Sequence, residues 1–336
     1  ATAVWGTQML DLDPMSKVQG VFSLWYGKGP GVDRCGDVFK HGNIAGTSKH
    51  GGVVLVAGDD HACKSSSLPH QSEHAFIAAM IPVVNPASVS EFIELGLHAF
   101  AMSRYSGCWI GFKSISDTIE SSSSIDIDPS KIQIKIPDSY PIPEDGFHLR
   151  WPDPPLEQEK RLQRDRLFAL LEYVRLNQLN KQEWKTDKAR FGIIATGKSY
   201  RDVKEAFKLL GLSDELAQSL GIRFLKIGVS WPLEPKIVRE FSEGLEEILV
   251  VEEKRQIIEY QLKEQLYNNP VESRPRVVGK YDEVGEWVQV PSHGILLSPN
   301  GELDATQVAK TIQNRLEKLF DPTQLEHSLQ LLKPSF

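Results

Sequence analysis

Short apolar runs alternate with longer amphipathic stretches along the first third of the chain. Residues 21–26, Val21-Phe22-Ser23-Leu24-Trp25-Tyr26, form an apolar run stopped by Gly27, which predicts a buried strand. Residues 52–57 predict a second buried strand, stopped by Gly58. Residues 37–47 between them suit a short helix. Residues 78–84 read as a helix end followed by a short strand, with Pro86 as the stop. Residues 88–103 place Phe92, Leu95, Ala99 and Met102 on one helical face, and residues 108–112 predict another strand. Strands alternating with helices predict an α/β domain built on a parallel sheet.

The pattern then changes. Residues 117–155 carry a serine run at 121–124 and prolines at 129, 137, 141, 143, 152, 154 and 155, which predicts a surface connection. Residues 156–179 form a charged helix with Leu167, Leu170, Leu171 and Val174 as its apolar stripe, read as an interdomain helix. Alternation resumes afterwards. Strands are predicted at 191–195, 224–229, 248–251 and 276–278, with helices at 203–210 (closed by Gly211), 235–245 and 256–268. Residues 306–320 predict one amphipathic helix. The expected division is a first α/β domain over 1–120, a connection and helix over 121–188, a second α/β domain over 189–290, and a tail over 291–336.

Bulk properties narrow the function classes. The chain has 336 residues, 40% hydrophobic and 25% charged, with a formal net charge of −7. This is globular composition, long enough for two cores. It has no basic footprint for nucleic acid. Three cysteines, Cys35, Cys63 and Cys108, are far apart and form no CxxC pair. They support neither a disulfide framework nor a cluster held by this chain alone, and a reducing, cytoplasmic setting is expected. No apolar run spans a bilayer and no secretory signal opens the chain, so no membrane role is expected. The opening residues, Ala1-Thr2-Ala3-Val4-Trp5-Gly6-Thr7-Gln8, read as a helix without a cap, the expectation for a chain that begins inside a domain.

Three segments carry candidate chemistry. Gly27-Lys28-Gly29-Pro30-Gly31-Val32-Asp33-Arg34 follows a strand and precedes a helix. Its glycines allow close backbone approach, and Lys28 and Arg34 suit an anion; the plain alternative is a tight connection. Residues 192–199, Gly192 through Thr196-Gly197-Lys198-Ser199, match the letters of a phosphate-binding loop. Ile193, Ile194 and Ala195 belong to the strand, however, so a cradle has no turn in which to form. The third segment is residues 58–74, with two carboxylates, three histidines, a cysteine and a lysine. His61, Cys63, His70 and His74 match no standard zinc spacing. Asp59, Asp60 and His61 lie just past the carboxyl end of a predicted strand, where open α/β sheets bind ligands. Histidine suits proton transfer near neutral pH. The alternative is a solvated loop with Asp59 as a cap.

Residues 25–34, Gly46-Thr47, Gly51-Gly52, Ala57-Gly58-Asp59-Asp60-His61, Lys64-Ser65-Ser66 and Pro69-His70-Gln71-Ser72-Glu73 together resemble the long, fused indolepyruvate:ferredoxin oxidoreductases. So do Arg150-Trp151-Pro152-Asp153-Pro154-Pro155, Thr196-Gly197-Lys198-Ser199-Tyr200, Trp231-Pro232-Leu233-Glu234-Pro235 and Val250-Val251-Glu252-Glu253-Lys254-Arg255. The resemblance covers nearly the whole chain, in order. It implies two three-layer parallel-sheet domains: a thiamine-enzyme pyrimidine-type domain, truncated at its N-terminus, then a transketolase C-terminal-like domain. It implies oxidative decarboxylation of an aryl 2-oxoacid with coenzyme A and ferredoxin, in a homodimeric parent enzyme. Thiamine diphosphate with Mg2+ would be the cofactor, its site completed by a diphosphate-binding domain or subunit outside this chain. A 4Fe-4S cluster would likewise lie elsewhere.

By similarity to transketolases, which carry a His-Asp-Ser segment and a Thr-His-Gln-Pro-x-Glu-His segment, His61 and His70 are expected on the substrate side. Gly27, Lys28, Gly29, Asp59 and Asp60 are expected at the cofactor. Arg34, Lys64, Ser65 and Glu73 are expected to contact substrate or an anion, and no metal ligand is expected. The family's activating glutamate precedes the segment that opens this chain, so the chain alone is expected to be inactive. A non-catalytic assembly module and a transketolase-like transferase are the competing readings.

Overall fold

The structure is a computed structural model that describes residues 1–320 apart from 127, 129–131 and 289–293; the predicted tail therefore lies partly outside the described residues. In chain order the strands are β1 (Phe22–Lys28), β2 (Gly52–Asp59), β3 (Val83–Val84), β4 (Ile110–Ile115), β5 (Asn180–Trp184), β6 (Phe191–Thr196), β7 (Ile222–Ile227), β8 (Val229–Trp231), β9 (Glu247–Val251) and β10 (Arg276–Val278). They form two sheets, ordered β1-β2-β4-β3-β8 and β10-β9-β6-β7-β5. Each sheet is parallel except for one antiparallel edge strand, β8 on β3 and β5 on β7. Both are therefore mixed sheets flanked by helices, an α/β fold with one antiparallel strand more per sheet than the pattern predicts.

The chain divides into two compact units, Ala1–Leu179 with Gly228–Glu234, and Asn180–Ile227 with Pro235–Phe336. In the first, β2 shows why three layers form. Val53, Leu55 and Ala57 face one core with Phe39, Phe76 and Trp109. Val54 faces the other with Leu95, Ala99, Met102 and Leu170. A strand with period-two side chains, apolar on both faces, must be covered on both. In the second unit, Phe191, Ile193 and Ala195 of β6 pack with Val203 and Phe207 of the helix Gly197–Leu209 and with the helix Ala305–Leu319. On the other face, Gly192 lies under Phe241 and Leu245.

Three elements differ from the pattern. Residues 21–26 were expected to be a buried strand, but β1 is a sheet edge with Phe22, Leu24 and Tyr26 exposed on one face. Its other face carries Trp25, edge-on to Phe39 at 5.0 Å. An apolar run alone does not distinguish one covered face from two. The polar strand β5, Asn-Lys-Gln-Glu-Trp, exists because β7 offers it an edge; strand preference depends on that context. The expected interdomain helix instead packs within the first unit as successive helical segments, Pro155–Lys160, Arg161–Arg166 and Leu167–Leu176. Leu170, Tyr173 and Val174 are at most 1% exposed. Burying such a side chain contributes about 1.5–3 kcal/mol.

Arg166 fastens this segment. Its guanidinium is fully buried and donates to the carbonyls of Phe147, Asn43, Ile44 and Ala45. The last three end the helix Gly36–Ala45, whose terminal carbonyls need donors and favour a cation. Gly46, at φ 94°, closes that helix, and a Cβ there would collide with the guanidinium. Burial pulls the Arg166 pKa down to about 10, so it remains charged at neutral pH. Arg166→Met strands these acceptors and is expected to cost about 3 kcal/mol or more. A denaturant midpoint unchanged from wild type would show that the segment is held by its apolar stripe alone.

Candidate functional site

The polar groups of residues 58–74 gather at the carboxyl ends of β1, β2 and β4. β2 aligns Ala57 with Lys113 and Asp59 with Ile115 of β4, and aligns Gly58 with Lys28 of β1. Asp59 ends β2 on the same face as Lys113. It is buried, with Oδ2 accepting from the Ser72 amide at 2.8 Å and Oδ1 accepting from the Ser72 hydroxyl at 2.6 Å. Burial pushes its pKa up, opposed by Lys113 and reinforced by the negative Glu73. Glu73 starts the helix Glu73–Ala78 and is 4% exposed. Its Oε1 accepts from Lys113 Nζ at 2.5 Å, whereas its buried Oε2 has no hydrogen-bond partner.

Asp60 organises the loop. Its carboxylate accepts from the amides of Lys64 (2.9 Å) and Ser65 (2.8 Å) and from the Ser66 hydroxyl (2.8 Å). The Ser65 amide is the largest influence that brings its pKa down to about 2. Its carbonyl accepts from the amides of Cys63 and His70. Lys28 reaches the same loop, donating to the Ser65 carbonyl and, at 3.3 Å, to its hydroxyl. Lys64 pairs with Asp117 at 3.8 Å. Arg34 is exposed at the end of the helix Gly29–Arg34.

His70 stands between two carboxylates. Its Nε2 is 2.9 Å from Asp33 Oδ2, and its Nδ1 is 3.9 Å from Asp59 Oδ1. Nδ1 is buried without a hydrogen-bond partner. The ring lies directly on Gly29, where a Cβ would fall inside the imidazole; at Gly27 a Cβ would meet the Trp25 ring. These two glycines thus have packing reasons inside the protein. His61 is buried at 1% exposure, and His74 is exposed.

The structure therefore brings Lys28, Gly29, Asp59, Asp60, Lys64, Ser65, His70 and Glu73 into one neighbourhood, whereas Arg34 is exposed at the end of its helix. Cys63 Sγ donates to the Ser66 carbonyl at 2.6 Å. Among the described residues no group of His, Cys, Asp and Glu is placed to hold a metal ion. Sequence reasoning missed Asp33, Ser72 and Lys113. Lys113 had a signal: it is a lysine inside the otherwise apolar Ile-Gly-Phe-Lys-Ser-Ile strand, and a lysine buried in a sheet needs a carboxylate.

In the second unit, Gly197 begins its helix directly after β6, so residues 192–199 form strand and helix with no phosphate cradle, as expected. A second buried charge cluster lies past β9. Glu252 accepts from the amides of Ile257, Ile258 and Glu259, which begin the helix Ile258–Leu266. Burial raises its pKa to about 7 and lowers that of Lys280 to about 8. No helix among the described residues is long and apolar enough to cross a membrane.

Comparison with known proteins agrees with this architecture. Residues 180–332 match the indolepyruvate ferredoxin oxidoreductase middle domain. The chain is similar to indolepyruvate oxidoreductase subunit IorA of Methanothermobacter marburgensis, 24% identical over 256 residues, covering 74% of this chain and 38% of that protein. It is also similar to the subunit IorA of Thermococcus kodakarensis, 27% identical over 66% of this chain and 34% of that protein. The chain thus spans a little over a third of the length of these relatives. A solved structure, the 2-oxoglutarate:ferredoxin oxidoreductase from Magnetococcus marinus with 2-oxoglutarate, coenzyme A and succinyl-CoA bound, shares the fold. Its TM-score is 0.60 at 16% identity, over 94% of this chain and 55% of that one.

Two outcomes test the site's construction. Glu73→Gln leaves the Lys113 ammonium buried without its carboxylate and is expected to cost about 3–5 kcal/mol, largely recovered in Glu73→Leu/Lys113→Met. Equal stability of Glu73→Gln and wild type in urea would refute the pairing. Asp60 has a lowered pKa, so its contribution is present above its unfolded value of 3.8 and is lost as pH falls toward about 2. Protease nicking of residues 60–66 should rise across that window in wild type and already be high at neutral pH in Asp60→Asn.

Proposed function

We propose that this chain, which matches the indolepyruvate ferredoxin oxidoreductase middle domain over residues 180–332 and is similar to IorA subunits, is part of a thiamine diphosphate-dependent oxidoreductase acting on an aryl 2-oxoacid, indolepyruvate above all. The reaction is oxidative decarboxylation with coenzyme A, giving an acyl-CoA, carbon dioxide and reduced ferredoxin. The first unit takes the role of the pyrimidine-side domain, and the second that of the domain that follows it in transketolases. The observation that supports this reading is the cluster of His70, Asp59, Glu73 and Lys113 at the carboxyl ends of β1, β2 and β4, where open α/β sheets hold ligands.

A polar cofactor fits this place by one test. Two buried polar atoms there, His70 Nδ1 and Glu73 Oε2, lack partners, and native proteins rarely leave such groups unsatisfied without a reason. Lys28, Gly29, Asp59 and Asp60 border the site, with Gly27 one residue behind. Most of their polar atoms are spent on the loop itself, so they shape the wall of the site. Thiamine diphosphate, when bound, supplies the carbanion chemistry of decarboxylation.

The protein's part is to orient groups and move protons. Asp33 and Gly29 hold the His70 ring in one plane. This directs Nδ1 inward, where it can take or give a proton. His61, sealed behind the strand end, offers a second imidazole on the substrate side. Lys64, Ser65 and Arg34 line the outer edge, where an anionic substrate group would arrive. The magnesium–diphosphate and iron–sulfur chemistry belongs to parts of the enzyme outside this chain.

In the longer enzyme, His61→Ala and His70→Ala are each expected to lower 2-oxoacid-dependent ferredoxin reduction by about 10²–10⁴. Wild-type turnover in both variants would sink the substrate-side assignment.

A further inference from the structure

The carboxylates around His70 form a path from solvent into the protein. Asp33, on the helix Gly29–Arg34, has a side chain 61% exposed and meets His70 Nε2 at 2.9 Å. The imidazole rests against Gly29 and turns Nδ1 toward Asp59 Oδ1, 3.9 Å away. The Asp59 side chain is fully buried. On the same sheet face lies the buried pair of Lys113 and Glu73, whose Oε2 has no hydrogen-bond partner.

Each link has an electrostatic reason. Asp59 is faced by Lys113 from β4, Glu73 from the next helix, His70 from the loop, and the Ser72 amide and hydroxyl. Two carboxylates near one ammonium in a buried place cannot both be cheaply ionised. Burial outweighs the attraction of Lys113 and raises the Asp59 pKa above the ordinary carboxylate value. Asp60, one residue on, is the opposite case: its three hydrogen-bond donors hold it ionised. Adjacent carboxylates in different environments thus have different tasks.

We propose that Asp59, Glu73 and Lys113 store one exchangeable proton, and that His70 carries it between Asp59 and the solvent-facing carboxylate of Asp33. In the empty state His70 is neutral with its hydrogen on Nδ1. A proton arriving from water or Asp33 at Nε2 gives the imidazolium, and the Nδ1 hydrogen passes to Asp59 Oδ1. The products are a neutral acid at Asp59 and a neutral imidazole protonated on Nε2, now donating to Asp33. Discharge is the reverse, so the tautomer of His70 records the state of the store. The 3.9 Å gap closes by a small movement of the ring or the carboxyl group. In this scheme His70 is a positioning and relay residue. The store stands on the placement of these groups and on the burial of Asp59; only its use in decarboxylation rests on the function proposed above.

Infrared spectroscopy of the 336-residue chain with 13C-labelled aspartate tests this directly. A protonated-carboxyl band that shifts with the label and disappears in Asp59→Asn is expected. His70→Gln and Asp33→Asn should keep the band but slow its exchange in deuterated buffer by at least about tenfold. In wild type the band should fade as pH rises, since a raised carboxyl pKa favours the acid below it. Absence, at every pH above the ordinary carboxylate range, of a labelled carboxyl band that is lost in Asp59→Asn would overturn the store. Unchanged exchange in folded His70→Gln would overturn the relay, and this variant decides even if Asp59→Asn does not fold. Neither result depends on 2-oxoacid turnover, so the functional reading fails or holds separately.

Discussion

Burying the Lys113 ammonium at the end of β4 commits everything around it. A buried cation needs a carboxylate at hydrogen-bond distance, and Glu73 supplies it. Glu73 is the first residue of its helix, so the pair fixes where that helix begins on the sheet. The loop from Asp60 to Gln71 must then leave β2 and return to the same point. Asp59 ties the return through Ser72, and Asp60 stitches the outward half through three donors. His70 reaches Gly29 because both ends of this loop are held. One ion pair therefore sets the position of an imidazole that it does not touch.

Arg166 applies the same logic elsewhere. It carries no carboxylate partner in its shell of carbonyls, and it joins the end of one helix to the proline-rich connection through Phe147. Glu252 does so with the sign reversed, taking three amides at a helix start. In each unit, long loops are anchored by a buried charge that answers several backbone groups at once. Such charges cost a great deal to bury and bind tightly once every neighbour is paired.

The functional picture follows from the same distribution of charge. Polar side chains are concentrated at the carboxyl ends of the first sheet, and most of their atoms are spent on building the loop. What is left over is small and directional: an inward nitrogen of His70 and one oxygen of Glu73. These two atoms are the ones on which the proton store proposed above is built.

Much was legible in the sequence. The alternation of apolar runs determined an α/β fold with two sheets. The crowded segment 58–74 marked the candidate site, and the strand residues Ile193 to Ala195 left no turn for a phosphate cradle. These are local properties, set by period, length and turn residues. Other features were invisible because they depend on residues far apart in the chain. Whether β1 is covered on one face or two depends on its place in the strand order. β5 and β8 exist only because other strands offer them an edge. That Gly29 packs under the His70 ring was equally invisible, because the two lie on segments far apart in the chain. The sequence by itself determined which groups could do chemistry. Only the tertiary structure decided which carboxylates are buried beside Lys113, because burial and pairing arise from packing between distant segments.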